Sequence, residues 1–231
     1  MIDFNFKKWN AILGWLAFLI ALITYTLTVE PTVSFWDAGE YILTSSKLQV
    51  GHPPGAPLFQ MFGAFFSLFA SDPTQIGFML NMMSAVASAF TILFMFWSLT
   101  LFIKKIVLKQ GDELTGANQI AIFGAAAIGS LAYTFSDSFW FSAVEGEVYA
   151  MASLFTAVIF WAGLKWDEEM SDGSTLKNDS LAANRWLILI LFLLGLAVGV
   201  HLLGILVVPA IAFILYFIMI PRSCRISRKM N

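Results

Sequence analysis

Asp37 and Glu40 stand three residues apart in Phe35-Trp36-Asp37-Ala38-Gly39-Glu40-Tyr41. On a helix that spacing puts both carboxylates on one face. Two such groups in a partly apolar pocket can serve as a general base and its partner, or can ligate a cation. Asp37 also fits a plainer duty. At the start of a short helix over 38–49, its carboxylate can cap free backbone N–H groups. His52 follows in Gly51-His52-Pro53-Pro54-Gly55. Two prolines stiffen the backbone there and remove two donors, so the imidazole is presented on a rigid turn. Such a group can donate to a phosphate or shuttle a proton, or simply top the connection. Further along, Glu145 and Glu147 sit at the mouth of an apolar helix, in Ala143-Val144-Glu145-Gly146-Glu147-Val148-Tyr149. Negative charge is favourable at a helix N-terminus, which is reason enough for them. Glu147 nevertheless abuts the apolar run directly. Asp137 lies in a polar-aromatic connector over 136–142, and His201 is enclosed by Val200 and Leu202 at the end of another apolar run.

The elements that must hold these groups are read from hydropathy. Hydrophobic residues form 59% of the 231 and charged residues 12%, about half the charge of an ordinary soluble domain. Apolar stretches cover 11–29, 55–70, 76–103, 120–135, 148–166, 186–201 and 203–220. A helix that crosses a bilayer needs about 20 apolar residues. The 55–70 stretch is short and bounded by prolines, so charge is needed to place it. If it does not cross, six spans remain. Lys7, Lys8, Lys104, Lys105, Lys109, Lys165, Lys177, Arg185 and the basic tail Arg222, Arg225, Arg228 and Lys229 then all fall on one side. Only Lys47 is left opposite. The positive-inside rule therefore favours six spans with both termini cytoplasmic. The same topology collects Glu30, Asp37, Glu40, His52, Asp72, Asp137, Glu145, Glu147 and His201 on the outer side. Ionisable groups near bilayer depth are costly and tend to line functional cavities. Glu30 and Asp72 read as wetted loop residues.

The expected fold class is all-α, a polytopic transmembrane bundle of about six spans with juxtamembrane helices in the first outer loop. Residues 1–231 form a single transmembrane domain. A lone cysteine, Cys224, excludes an internal disulfide and a cysteine-based metal cluster. The charged loops carry no basic patch with interleaved aromatics, so nucleic acid is not an expected partner. A transporter would place ionisable groups across the membrane, within inverted repeats or broken helices. Here they gather at one interface. A non-catalytic membrane subunit or scaffold is the other alternative.

Four ordered blocks resemble the domain-of-unknown-function 2723 family, which includes bacterial membrane proteins and the transmembrane protein 260 type of protein O-mannosyltransferase. They are residues 35–40, residues 51–58, residues 136–149 and Gly195-Leu196-Ala197-Val198-Gly199-Val200-His201-Leu202-Leu203. The resemblance implies a GT-C glycosyltransferase fold and a polyprenyl-phosphate-linked sugar donor, used at the extracytoplasmic face, with an inverting mechanism. It implies Asp37 as the base that deprotonates an acceptor hydroxyl on a protein or glycan, and Glu40 as the group that orients the acceptor or tunes Asp37. His52, Asp137, Glu145, Glu147 and His201 would line the donor and acceptor pocket. No metal or other cofactor is expected. The paired acids would call for a divalent cation only with a pyrophosphate-linked donor. The expected setting is the lipid bilayer of a bacterial inner membrane, with the active site periplasmic. Family members are usually longer, with further spans, so the resemblance implies an N-terminal module completed by further sequence or by a partner chain.

Overall fold

The computed structural model describes residues 5–108, 113–171 and 180–217. Lys109, Lys177, Cys224 and the basic tail at 222–229 lie outside these. The described residues fold as helices with no strand among them. In order they are α1 (Phe6–Thr28), α2 (Ala38–Lys47), α3 (Pro57–Ser67), α4 (Ile76–Val107), α5 (Gly116–Thr134), α6 (Asp137–Ala143), α7 (Val148–Ser171) and α8 (Ser180–Val198). A 3-10 segment, Leu202–Val207, then runs into α9 over 208–217.

Three of these helices, α1, α4 and α7, are long and apolar enough to cross a membrane. A fourth span is obtained if α5 and α6 are taken together, a pair bent by 66° at residues 135–136. The apolar helices Asn184–Val198 and Leu202–Phe217 are shorter, so length alone supports four of the six expected spans. With 11 residues, α3 is roughly 16 Å long at 1.5 Å per residue, about half of a bilayer's apolar thickness. It is too short to cross as an α-helix.

Helix α4 is the central post and packs against α1, α5 and α7. Lipid is as apolar as leucine, so burial of hydrocarbon does little to drive such contacts; close packing of small residues does more. The α1–α4 seam has that chemistry. Ala17 and Ala21 on α1, and Ala85 and Ala89 on α4, are buried together in one cluster. Gly14 lets the helices approach further, since a Cβ there would fall 2.3 Å from the Trp97 indole nitrogen. That indole nitrogen donates to the Asn10 carbonyl at 3.1 Å. The bend after α5 exposes last-turn carbonyls, and the buried Tyr25 hydroxyl donates to the Thr134 carbonyl at 3.0 Å. Most of the polar-aromatic connector over 136–142 lies in the short helix α6. Trp140 ties it to α1 through a 2.9 Å hydrogen bond to the Thr28 hydroxyl.

A second buried cluster joins α2 and α3 to α4 and α7 through Tyr41, Phe59, Met83, Val148 and Met151. It sits at the α7 N-terminus and positions the site. At the opposite end of the bundle, Lys104 and Lys105 of α4 meet Glu168 and Asp167 of α7, and Arg185 of α8 meets Glu169.

Candidate functional site

Helix α2 begins after Trp36, whose φ of 60° is in the left-handed region. A bulky residue is rarely held there and stores local strain. Asp37 then occupies the N-cap position with φ −84° and ψ 0°, and its side chain makes no capping hydrogen bond. Side-chain capping needs an extended N-cap backbone, and this one is already helical. The carboxylate of Asp37 is exposed instead of being used by the helix.

Glu40, one turn on, reaches the Gly51–Gly55 turn. Its Oε1 accepts the His52 backbone N–H at 2.6 Å, and its Oε2 lies 3.0 Å from His52 Nδ1. Charge-assisted bonds of this kind favour the ionised partners. The His52 backbone N–H, then the imidazole, pull the Glu40 carboxyl below its usual range. Glu40 in turn raises His52. With Nδ1 engaged by the carboxylate, Nε2 is the free ring nitrogen. Tyr41 packs its ring 5.8 Å from the His52 ring and 5.3 Å from Phe59.

Glu145 and Glu147 are buried, 3% and 5% exposed. Glu145 accepts the Ser34 hydroxyl at 2.9 Å, and burial, aided by Glu30, raises its carboxyl. Burial pushes Glu147 up to about 7, with the charges of Glu145 and Asp37 adding and the Asp37 backbone amide opposing. Burial also pushes the Tyr41 hydroxyl up to about 12, and the charges of Asp37 and Glu147, the Tyr149 hydroxyl and the Glu40 charge act on it in the same direction. Asp37, Glu40, Glu147 and Tyr149 thus all act electrostatically on Tyr41.

His201 closes the circle from the α8 side. Its ring stands 5.6 Å from that of Tyr149. Its Nδ1 accepts the Leu203 N–H at 3.1 Å, and burial lowers its pKa. A neutral imidazole that accepts at Nδ1 carries its proton on Nε2, so His201 offers a donor. A 2.8 Å hydrogen bond from the Leu58 N–H to the Gly199 carbonyl joins α3 to the end of α8. Asp137 is different. It is exposed in the first turn of α6 and makes no hydrogen bond or ion pair to the other six candidates. Among the described residues, no group of three or more His, Cys, Asp or Glu is placed to hold a metal ion.

An apolar cavity of about 640 Å³ opens beside the cluster. Tyr149 and Leu203 line it near the site, and Thr156, Phe160 and Phe102 line it farther along. From Tyr149 to Phe160 it follows α7 for roughly 16 Å.

Residues 37–223 match the family described as the protein O-mannosyl-transferase TMEM260 N-terminal domain. The chain belongs to that family. It is 27% identical over 150 residues to the protein O-mannosyl-transferase tmem260 of Dictyostelium discoideum, covering 64% of this chain and 16% of that protein. To the TMEM260 protein of Mus musculus it is 24% identical over 145 residues, covering 62% of this chain and 18% of that one. The chain thus spans less than a fifth of the length of these relatives. No solved structure matches it.

Asn81 was missed in sequence. It is fully buried on α4, and its Nδ2 donates to the Glu30 and Thr32 carbonyls, both at 2.7 Å. A lone amide inside Phe78-Met79-Leu80-Asn81-Met82-Met83 is the signal that marks it, since polar groups in a span need partners.

Proposed function

We propose that this chain is the N-terminal catalytic module of a membrane glycosyltransferase that uses a polyprenyl-phosphate-linked sugar on the extracytoplasmic side. The names of the relatives favour mannose as the sugar and a protein Ser or Thr hydroxyl as the acceptor. The observation that carries this reading is the exposed Asp37 carboxylate, three residues before the Glu40 that engages His52. Asp37 takes the proton of the acceptor hydroxyl as that oxygen attacks the anomeric carbon. The bond from that carbon to the phosphate oxygen breaks with inversion, and the lipid monophosphate leaves. His52, whose protonated form Glu40 favours, faces the growing charge on the phosphate with Nε2–H, and His201 supplies a second, neutral donor. The cavity along α7 accommodates part of the isoprenoid chain, which has no polar group to satisfy. The basic groups at the opposite end of the bundle support an outward-facing site.

The test is transfer of sugar from polyprenyl-phosphate mannose to a Ser-containing peptide by purified protein, wild type against Asp37→Asn. Transfer by the wild type, with loss in the variant and retained donor binding, supports Asp37 as the base. The alternative reading is a donor-binding module without its own turnover. Binding with no transfer in either protein is the outcome it expects. Folded protein that neither binds nor transfers points to a scaffold.

A further inference from the structure

Residues 30–37 carry no regular structure between α1 and α2, yet this segment sets where Asp37 stands. It is held almost entirely from one direction. The Glu30 N–H donates to the Val144 carbonyl at 3.0 Å. The Glu30 and Thr32 carbonyls receive the two Asn81 bonds. The Ser34 hydroxyl donates to Glu145, and the Asp37 backbone amide faces Glu147. Gly146 lies against Asn81, where a Cβ would come within 2.9 Å of Oδ1. The Asn81 Oδ1 has no hydrogen-bond partner among the described residues.

We infer that Glu145-Gly146-Glu147 is a clamp whose two buried carboxyl groups hold residues 30–37, so that Glu147 positions Asp37 without meeting substrate. The inference rests on the transferase reading only in calling Asp37 the group whose position matters. Both carboxyls are too enclosed to face a sugar or a phosphate. Each instead answers a donor in the segment before α2.

The clamp is sensitive to protons. The groups facing Glu147 are Asp37 ahead of α2, Tyr41 on α2 and Glu145 beside it, while Glu30 faces Glu145. α4 contributes the uncharged Asn81. Every charge in this set is negative, and among the described residues no cation is paired with Glu145 or Glu147. The closed segment therefore binds protons more tightly than the open one. Its stability is full below the ordinary carboxyl range, is lost as the pH rises through about 7, and is level above that. Two buried carboxyls that disfavour a second ionisation follow the same like-charge logic that separates paired carboxyls into two roles.

Hydrogen exchange on the purified protein, corrected for the intrinsic pH dependence of exchange, tests this without donor or acceptor. Amides of residues 30–37 are expected to lose at least about ten-fold in protection between pH 5 and 7.5, while those of 85–96 on α4 do not change. Glu147→Gln keeps the acceptor oxygen and removes most of that loss; adding Glu145→Gln removes the rest. Ser34→Ala lowers protection of 30–37 at both pH values. Infrared difference spectra of the wild type supply a second readout, a protonated-carboxyl C=O band that disappears as the pH passes 7 and is absent in Glu147→Gln. Flat protection of 30–37 in the wild type, an unchanged fall in the double variant, or absence of that band overturns the clamp. Because neither readout involves sugar transfer, a failed transferase assay leaves these outcomes fully interpretable.

Discussion

The two ends of the bundle use the same acidic residue types in opposite ways. At the end where α4 and α7 finish, the three acids of α7 each meet a cation: Lys104 and Lys165 share Glu168, Lys105 pairs with Asp167, and Arg185 pairs with Glu169. At the other end, among the described residues, Asp37 is exposed with no salt bridge, Glu145 and Glu147 are buried without a cation, and Glu40 is engaged by a histidine. Paired surface charges contribute little and change little with substitution. Acids left uncompensated near a membrane surface are costly, and that cost marks a site under a functional demand. The difference between the ends separates charge that fastens helices from charge that is kept available.

Asp37→Asn gives the largest contrast. On the proposed transferase reading, loss of the base is expected to lower kcat by roughly 100- to 10,000-fold, with thermal unfolding in detergent unchanged. Transfer at wild-type rate would break the comparison at its centre. Asn81→Ala is next. It removes the donor that the Glu30 and Thr32 carbonyls share and leaves a gap on α4, and is expected to cost about 1–3 kcal/mol in unfolding measurements. Gly146→Ala forces a Cβ to within 2.9 Å of Asn81 Oδ1, and crowding of that kind costs about 1–3 kcal/mol where the neighbours are packed. Its effect should fall on the same segment, read by proteolysis before α2.

Glu40→Gln sharpens the comparison through pH. Glu40 raises His52, so the imidazolium, and any phosphate affinity that depends on it, is present below the ordinary histidine pKa and lost as the pH rises through the raised one. The variant should move that loss to lower pH, as followed by NMR titration of the His52 ring or by donor binding against pH. The smallest effect belongs to the far end. Arg185 is 64% exposed in its pair, and Arg185→Gln should change stability by less than about 1 kcal/mol, and less still at high salt.

Much of the scaffold was legible because a bilayer leaves few options. Runs such as 76–103 and 148–166 have one stable solution in lipid, and α4 and α7 begin where those runs begin. Helix α6 was read as a connector because seven polar and aromatic residues carry no clear period. Its helicity comes from packing Phe139 and Ala143 into the α1–α4–α5 cluster. The site was legible as a set of residues, and less so as a set of roles. Asp37 sits at the N-cap as expected, but a helical backbone there releases its side chain. The bond between Glu40 and His52 spans twelve residues and depends on how the proline turn folds back, which spacing cannot reveal. Glu145 and Glu147 read as a charged helix mouth, because carboxylates are rarely enclosed. Their burial needs Ser34, Asn81 and the segment before Asp37, all brought from elsewhere in the chain.

The bend between α5 and α6 leaves the Thr134 carbonyl without a helical donor, and Tyr25 answers it from α1. Hydrocarbon supplies no water to do so. The two helices are therefore bound in a dependency that neither could meet alone: one brings an acceptor stripped of its partner, the other a phenol with few other uses in that setting. Whatever else diverges in a descendant of this sequence, the kink and the hydroxyl have to be inherited together or lost together.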